Sequence, residues 1–199
     1  MPTPLQKQLM LVIAVLLTCK TAFCQTFTPK HISIGRFSNG YYEYLPEQYN
    51  ANDNKTYPLI FFIHGAGDVG NGSPAELPRL LRVGLTREIH IGGFPKSFTV
   101  NVEVFRFIVI SPQYLYMPGA ADAVPDITNM LNYVLQHYKV DPTRIYLTGL
   151  SKGGGLTFDF AGYNATNANL LAAIVASAQA TLPVRSQART IAAANLPVW

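Results

Sequence analysis

Two short stretches carry residue types that could do chemistry together. Gly149-Leu150-Ser151-Lys152-Gly153 sets one serine between glycines, directly after an apolar run and directly before a helix-like segment. A hydroxyl becomes an effective nucleophile when a tight turn exposes it, a base takes its proton and nearby N–H groups stabilise the oxyanion that forms. Such a turn needs small neighbours, and Gly149 and Gly153 supply them, while Gly154 and Gly155 let the following helix pack closely. Ser151 is therefore the candidate catalytic residue.

The second stretch is His64-Gly65-Ala66-Gly67, at the end of an earlier apolar run. Glycines free the backbone there, so that an N–H can point at a substrate oxygen. The candidate oxyanion donors are the N–H groups of Ala66 and Lys152, with His64, Gly65 and Gly67 shaping the loop. His64 could instead be a base, but a histidine opening such a loop is expected to be structural. A phosphate-binding loop does not fit, because no G-K-[ST] follows. A serine–lysine dyad of Ser151 and Lys152 does not fit either, because adjacent residues at a helix start point in different directions. Asp159 falls eight residues into the helix, about 12 Å along its axis from Ser151, and reads as structural rather than as a triad acid.

These residues need a scaffold that alternates strands and helices. Leu59 to Ile63, Phe105 to Ile110 and Ile145 to Thr148 are continuous apolar runs, the pattern of strands buried on both faces. Leu170 to Val175 is a fourth such run, and Pro197-Val198-Trp199 opens a fifth. Ile127, Met130, Leu131, Val134, Leu135 and Tyr138 follow the i, i+3, i+4, i+7 spacing of an amphipathic helix. Glu76 to Glu88 reads as a helix interrupted at Pro78 and Gly84, and Lys152 to Tyr163 as a helix. Ile32 to Phe37 and Tyr41 to Leu45 predict an antiparallel hairpin turning at Ser38-Asn39-Gly40. The fold class is α/β: a mostly parallel sheet covered by helices on both faces, with an N-terminal antiparallel hairpin.

Composition narrows the function. A chain of 199 residues with 49% hydrophobic and 13% charged side chains is not disordered as a whole. Residues 1–24 read as a signal peptide, with Lys7, an apolar run from Leu9 to Leu17, and small residues Ala22 and Cys24 before Gln25. The run is too short to span a membrane, although an uncleaved anchor or a lipidated Cys24 remains an alternative. Export to the periplasm or outside the cell is expected, with no stable membrane insertion after cleavage and one domain over residues 25–199. Both cysteines, Cys19 and Cys24, lie in that leader, so no thiol remains in the mature chain. The net charge of +4 falls to +2 without Lys7 and Lys20, too weak and scattered for a nucleic-acid footprint.

Taken together, Phe61 to Gly72 and Asp141 to Gly154 resemble the α/β-hydrolase superfamily, and Ile108-Val109-Ile110-Ser111-Pro112-Gln113 fits the same group. The resemblance covers roughly Tyr57 to Trp199. It is nearest to secreted esterases of the polyhydroxybutyrate depolymerase, feruloyl esterase and acetylxylan esterase type, grouped with prolyl-oligopeptidase-like domains. Lys152 departs from that group, where many members carry an uncharged residue. The resemblance implies a serine hydrolase that cleaves carboxylic esters through an acyl-enzyme on Ser151, without metal or cofactor. It implies small-molecule, polysaccharide-linked or polymeric ester substrates. A peptidase of the same fold, or a non-catalytic binding protein that lost its base, are the alternatives. Tyr114, Tyr116, Phe94 and Phe98 are candidates for a pocket wall, or else simply pack the loops.

The triad implied by the resemblance runs serine, acid, histidine along the chain. No histidine follows Ser151. The expectation is therefore a C-terminally incomplete chain, lacking its last strands and about 60 residues that carry the triad acid and histidine.

Overall fold

The computed structural model describes residues 26–199. The leader expected over 1–24 lies outside the described residues. The eight strands are β1 (Thr26–Lys30), β2 (Ser38–Leu45), β3 (Tyr57–Ile63), β4 (Phe98–Val100), β5 (Glu103–Phe105), β6 (Ile108–Tyr114), β7 (Val140–Leu150) and β8 (Ala173–Ser177). The helices are α1 (Gly84–His90), α2 (Ala120–His137), α3 (Lys152–Ala161), α4 (Ala165–Leu170) and α5 (Arg185–Ala193). Two 3-10 turns, Ala66–Asp68 and Leu77–Leu81, precede α1.

Six strands form one sheet in the order β1-β2-β6-β3-β7-β8, and β4 and β5 form a separate hairpin. The ladders β6–β3, β3–β7 and β7–β8 are parallel, while β1–β2 and β2–β6 are antiparallel. Central position explains the apolar runs. Leu59, Phe61, Ile63, Ile145 and Leu147 are fully buried, and each contributes about 1.5–3 kcal/mol by leaving water. They face α2 and α3 in one continuous core with Ile127, Met130, Leu131 and Val134 of α2. Val198 forms a parallel bridge to Ile174, so the run Pro197-Val198-Trp199 does lie along β8.

Several expectations need correction. The antiparallel hairpin exists, but its first strand is Thr26–Lys30, not Ile32 to Phe37, and Ser38-Asn39-Gly40 lies inside β2 with a register shift at Gly40. The strand expected at Phe105 to Ile110 runs instead from Ile108 to Tyr114, straight through Pro112. Its ladder to β3 ends at Ile110, so the missing N–H of Pro112 falls where β2 is the remaining neighbour. Helix α2 begins seven residues before Ile127 and contains Pro125. Its Asp126 is buried and accepts from the Phe37 N–H (3.1 Å) and the Ser38 hydroxyl (2.7 Å), which ties the helix to the start of β2. The segment expected as one interrupted helix is a 3-10 turn and then α1, separated near Gly84, whose φ is +71°. Strand β8 starts at Ala173, because Leu170 ends α4.

The sheet is also less evenly covered than expected. Helices α2, α3 and α5 pack on one face. On the other face, the alternate residues Ile60, Phe62, Tyr146, Thr148 and Leu150 line a groove of about 400 Å³, floored by apolar side chains and roofed in part by Leu85 of α1. The long segment after β3 contributes only short helices there, too small to cover a parallel sheet among the described residues.

Candidate active site

Ser151 is the one residue between the end of β7 and the first turn of α3. Its backbone sits at φ +56° and ψ −116°, a left-handed conformation that costs a non-glycine residue about 1–3 kcal/mol. Three backbone hydrogen bonds hold it there. The Ser151 N–H donates to Ser177 O (2.9 Å), and Ser151 O accepts from Ala180 N–H (2.9 Å) and Gly155 N–H (3.2 Å). The glycines around it are steric necessities: a Cβ on Gly149 would collide with the Gly153 carbonyl, and one on Gly153 with the Ile63 carbonyl at the end of β3. The sharp turn is thus wedged between two strand ends.

The loop after β3 closes over the same point. A Cβ built on Gly65 would lie 3.6 Å from Ser151 Cβ, so the two loops are in van der Waals reach. Ala66 opens a 3-10 turn whose bond runs from Asp68 N–H to Gly65 O (3.2 Å). The first N–H groups of a helix have no partner within it. Ala66 and Gly67 at this turn, and Lys152 at the start of α3, therefore have backbone donors free of intrahelical bonds.

His64 is buried and its two ring nitrogens are both engaged. Nε2 accepts from the Tyr114 N–H (2.9 Å), so Nδ1 carries the proton and donates to Gly65 O (2.6 Å). Burial pushes its pKa down to about 4, against a smaller upward pull from the Gly65 carbonyl. A neutral ring with no free nitrogen latches the end of β3 to the end of β6; it is not free to take a proton from Ser151.

Sequence reasoning missed the second support of this loop. Gln113 Nε2 donates to Asp68 O (3.0 Å) and Glu76 O (2.8 Å), and its Oε1 accepts from the Gly72 N–H (3.0 Å). One buried amide thereby clamps three points of the segment 68–76. Its only signal was a polar residue following an apolar strand. Asp68 is buried within the same segment, and burial raises its carboxyl above the ordinary range despite the opposing pull of Arg82.

The aromatic candidates do not form a wall beside Ser151. Tyr114 is fully buried in the core with its ring near His64, because β6 extends through it. Tyr116 is half exposed and meets Phe37 edge-on. Phe94 and Phe98 pack on each other, on Tyr44 and on Phe107. Phe98 lines a groove of about 440 Å³ with Pro58 and Ile60, at the starts of the parallel strands and so at the end of the sheet away from Ser151. Tyr114 thus lies in the core, Phe94 packs among aromatics, and Phe98 lines a groove remote from Ser151.

The other histidines lie elsewhere. His31 Nδ1 lies 2.6 Å from Gly72 O, His90 ends α1, and His137 stacks on Tyr133 at the far end of α2. Among the described residues no hydrogen bond joins Ser151 Oγ to a histidine. Asp159 is bonded to Gln187 Nε2 (2.9 Å), in keeping with a structural role. A crevice of about 290 Å³, lined by Lys152 but not by Ser151 itself, lies between Pro118-Gly119, the Lys152–Asp159 face of α3 and the loop Thr181 to Val184.

No family model matches this chain, and no curated protein matches it in sequence. Solved structures do match. A thermostable esterase superposes with a TM-score of 0.55 at 19% identity, over 88% of this chain and 45% of its own. A fluorophosphonate-binding serine hydrolase from Staphylococcus aureus gives 0.52 at 13% identity, over 78% and 57%. A feruloyl esterase module from Clostridium thermocellum, in complex with sinapinate, gives 0.53 at 17% identity, over 88% and 62%. The fold is the α/β-hydrolase fold. Within it, Ser151 sits at the carboxyl ends of the parallel strands, the edge where open α/β sheets bind ligands. The chain spans about half the length of the first two of these structures.

Proposed function

We propose that this protein is an exported serine hydrolase of the α/β-hydrolase fold that cleaves carboxylic esters through an acyl-enzyme on Ser151. The observation that carries the reading is the backbone of Ser151: a strained φ of +56° between strand and helix, with the Gly65 loop so near that a Cβ on Gly65 would touch Ser151 Cβ. Strain of that kind in a non-glycine residue persists where the surroundings over-determine it and concentrates at functional sites. Ser151 Oγ attacks the ester carbonyl, and the N–H groups of Ala66 and Lys152 stabilise the tetrahedral oxyanion. A histidine oriented by an acid takes the serine proton and passes it to the departing alcohol. Water then hydrolyses the acyl-enzyme by the reverse sequence. The substrates are small-molecule, polysaccharide-linked or polymeric esters, a class suggested by the esterases that share the fold.

The base and its acid are proposed to lie beyond Trp199 in the full gene product. The four histidines of these 199 residues support this: His64 has both ring nitrogens engaged, His31 lies against Gly72 O, His137 stacks on Tyr133, and His90 ends α1 next to Ile89, which packs on Val109 near the start of β6. The same fact favours a second reading, a binding protein that kept the turn without its base. Treating the full-length gene product with a fluorophosphonate probe separates the two. Labelling at Ser151, lost in Ser151→Ala together with aryl-ester turnover by a factor on the order of 10⁶, supports the hydrolase. A folded full-length protein that takes up no label supports the binding protein.

A further inference from the structure

The side chain of Lys152 opens a stripe along α3 that continues through Leu156 and Asp159 and forms one wall of the 290 Å³ crevice. The opposite wall is the loop after β8. Gly155 lets that loop approach, since a Cβ there would collide with Thr181 Oγ1, and the Ala180 N–H bonded to Ser151 O (2.9 Å) fixes the loop beside the serine. Pro118, from the loop after β6, closes one end. Three loops at the carboxyl edge of the sheet thus converge on a crevice that starts at Lys152, the residue next to Ser151, within reach of one arm of a substrate held at the serine.

The charges in this crevice are arranged unevenly. Lys152 is exposed, and among the described residues its ammonium has no ion pair or hydrogen bond. Asp159 shares its helix face but is seven residues on, about 10 Å along the axis. Its carboxylate is held by Gln187 Nε2 (2.9 Å), and Gln187 is fixed in turn by the Val184 N–H (2.9 Å). The acid is committed to α5, and the cation next to the serine is left without a partner.

We infer that this crevice selects esters whose acyl group carries a carboxylate a few bonds from the scissile carbonyl, half-esters of dicarboxylic acids being the simplest, with the Lys152 ammonium pairing with that carboxylate. The inference rests on the reading of Ser151 as the nucleophile. Lysine suits the role, as a point charge on a flexible stem that follows an anion without a fixed bidentate geometry. Because the cation is exposed, the selectivity is modest: about two- to fivefold in kcat/KM over a neutral acyl group of the same length.

The test compares two aryl esters, the butanoate and the hemisuccinate, on the full-length gene product. The ratio of their kcat/KM values is the readout rather than either rate, because the Lys152 N–H is also placed in the oxyanion hole. The wild type should favour the hemisuccinate. Lys152→Met should lower the hemisuccinate-to-butanoate ratio about two- to fivefold, Lys152→Arg should restore most of it, and raising salt from 50 to 500 mM should compress it in the wild type. A ratio unchanged in Lys152→Met, or unaffected by salt, overturns the inference while butanoate turnover leaves the hydrolase reading standing. Absence of turnover on both esters, with no fluorophosphonate label, overturns both.

Discussion

Removing the imidazole of His64 tests whether the loop facing Ser151 is latched by a buried neutral ring. The ring accepts from the Tyr114 N–H at 2.9 Å and donates to Gly65 O at 2.6 Å. His64→Leu removes both partners and keeps an apolar side chain of comparable bulk. Gly65 O keeps the Asp68 N–H (3.2 Å), so the Tyr114 N–H is the group that loses its partner, and a buried polar group left unpaired costs about 1–3 kcal/mol at neutral pH. The pH dependence sharpens the test. An unfolded histidine titrates near 6.5, whereas burial holds His64 at about 4 in the folded chain. Between those values the unfolded chain takes up a proton that the folded chain refuses. This contribution to stability is therefore complete above about pH 6.5 and is lost as the pH falls toward 4.

At about 1.4 kcal/mol per pH unit, the loss by pH 4.5 is about 2–3 kcal/mol. Urea unfolding of the wild type and of His64→Leu at pH 7.5 and at pH 4.5 measures both quantities, and carboxylates common to the two proteins cancel in the difference. The variant should be about 1–3 kcal/mol less stable at pH 7.5, and that penalty should shrink by about 2–3 kcal/mol at pH 4.5, enough to cancel or nearly cancel it. A penalty of the same size at both pH values would mean that His64 is not a buried neutral ring. No penalty at pH 7.5 would mean that the two hydrogen bonds do not hold the loop.

Two further outcomes follow from the same geometry and from the leader. Gly153→Ala drives a Cβ into the Ile63 carbonyl at the end of β3; it should cost about 1–3 kcal/mol in urea unfolding and weaken fluorophosphonate labelling, whereas an unperturbed midpoint would show that the turn has room to spare. If residues 1–24 are an export signal, mass spectrometry of the periplasmic or extracellular product should find an N-terminus at or near Gln25, and an intact Met1 on cytoplasmic protein would contradict it.

What could be read in the sequence, and what could not, divides along the range of the forces involved. The turn at Ser151 was legible because its constraint is local: glycines at 149 and 153 are required by backbone atoms a few residues away or at the adjacent strand end. The strands β3 and β7 were legible because central strands bury side chains along their whole length. Strand β6 was placed three residues early at its start and cut short at its end. Its second half is Ser111-Pro112-Gln113-Tyr114, and all four residues are buried for reasons that lie far away in the chain. Gln113 is satisfied by carbonyls and an N–H between Asp68 and Glu76, and the Tyr114 backbone N–H by the ring of His64. A polar run whose partners are some 40 residues distant reads as a loop until the partners are seen. That shift carried Tyr114 from an expected pocket wall into the core.

The same logic explains why the crevice beside Lys152 was not anticipated. Pro118, Thr181 and Leu182 belong to loops with no periodicity, and they meet α3 only because β6, β7 and β8 end at the same edge. Lys152 was legible as a residue type at odds with its surroundings, but its meaning depends on where Asp159 spends its charge. The carboxylate is bound to Gln187, from a helix that starts more than twenty residues later. Had Asp159 reached back to Lys152, the crevice would be electrostatically balanced and indifferent to the charge of an acyl group. With Asp159 anchored to α5, the unpaired cation is the nearest full charge on the stripe that leads to the serine. The chemistry of the turn is thus written in adjacent residues, whereas the selectivity of the crevice is decided by a hydrogen bond between two helices.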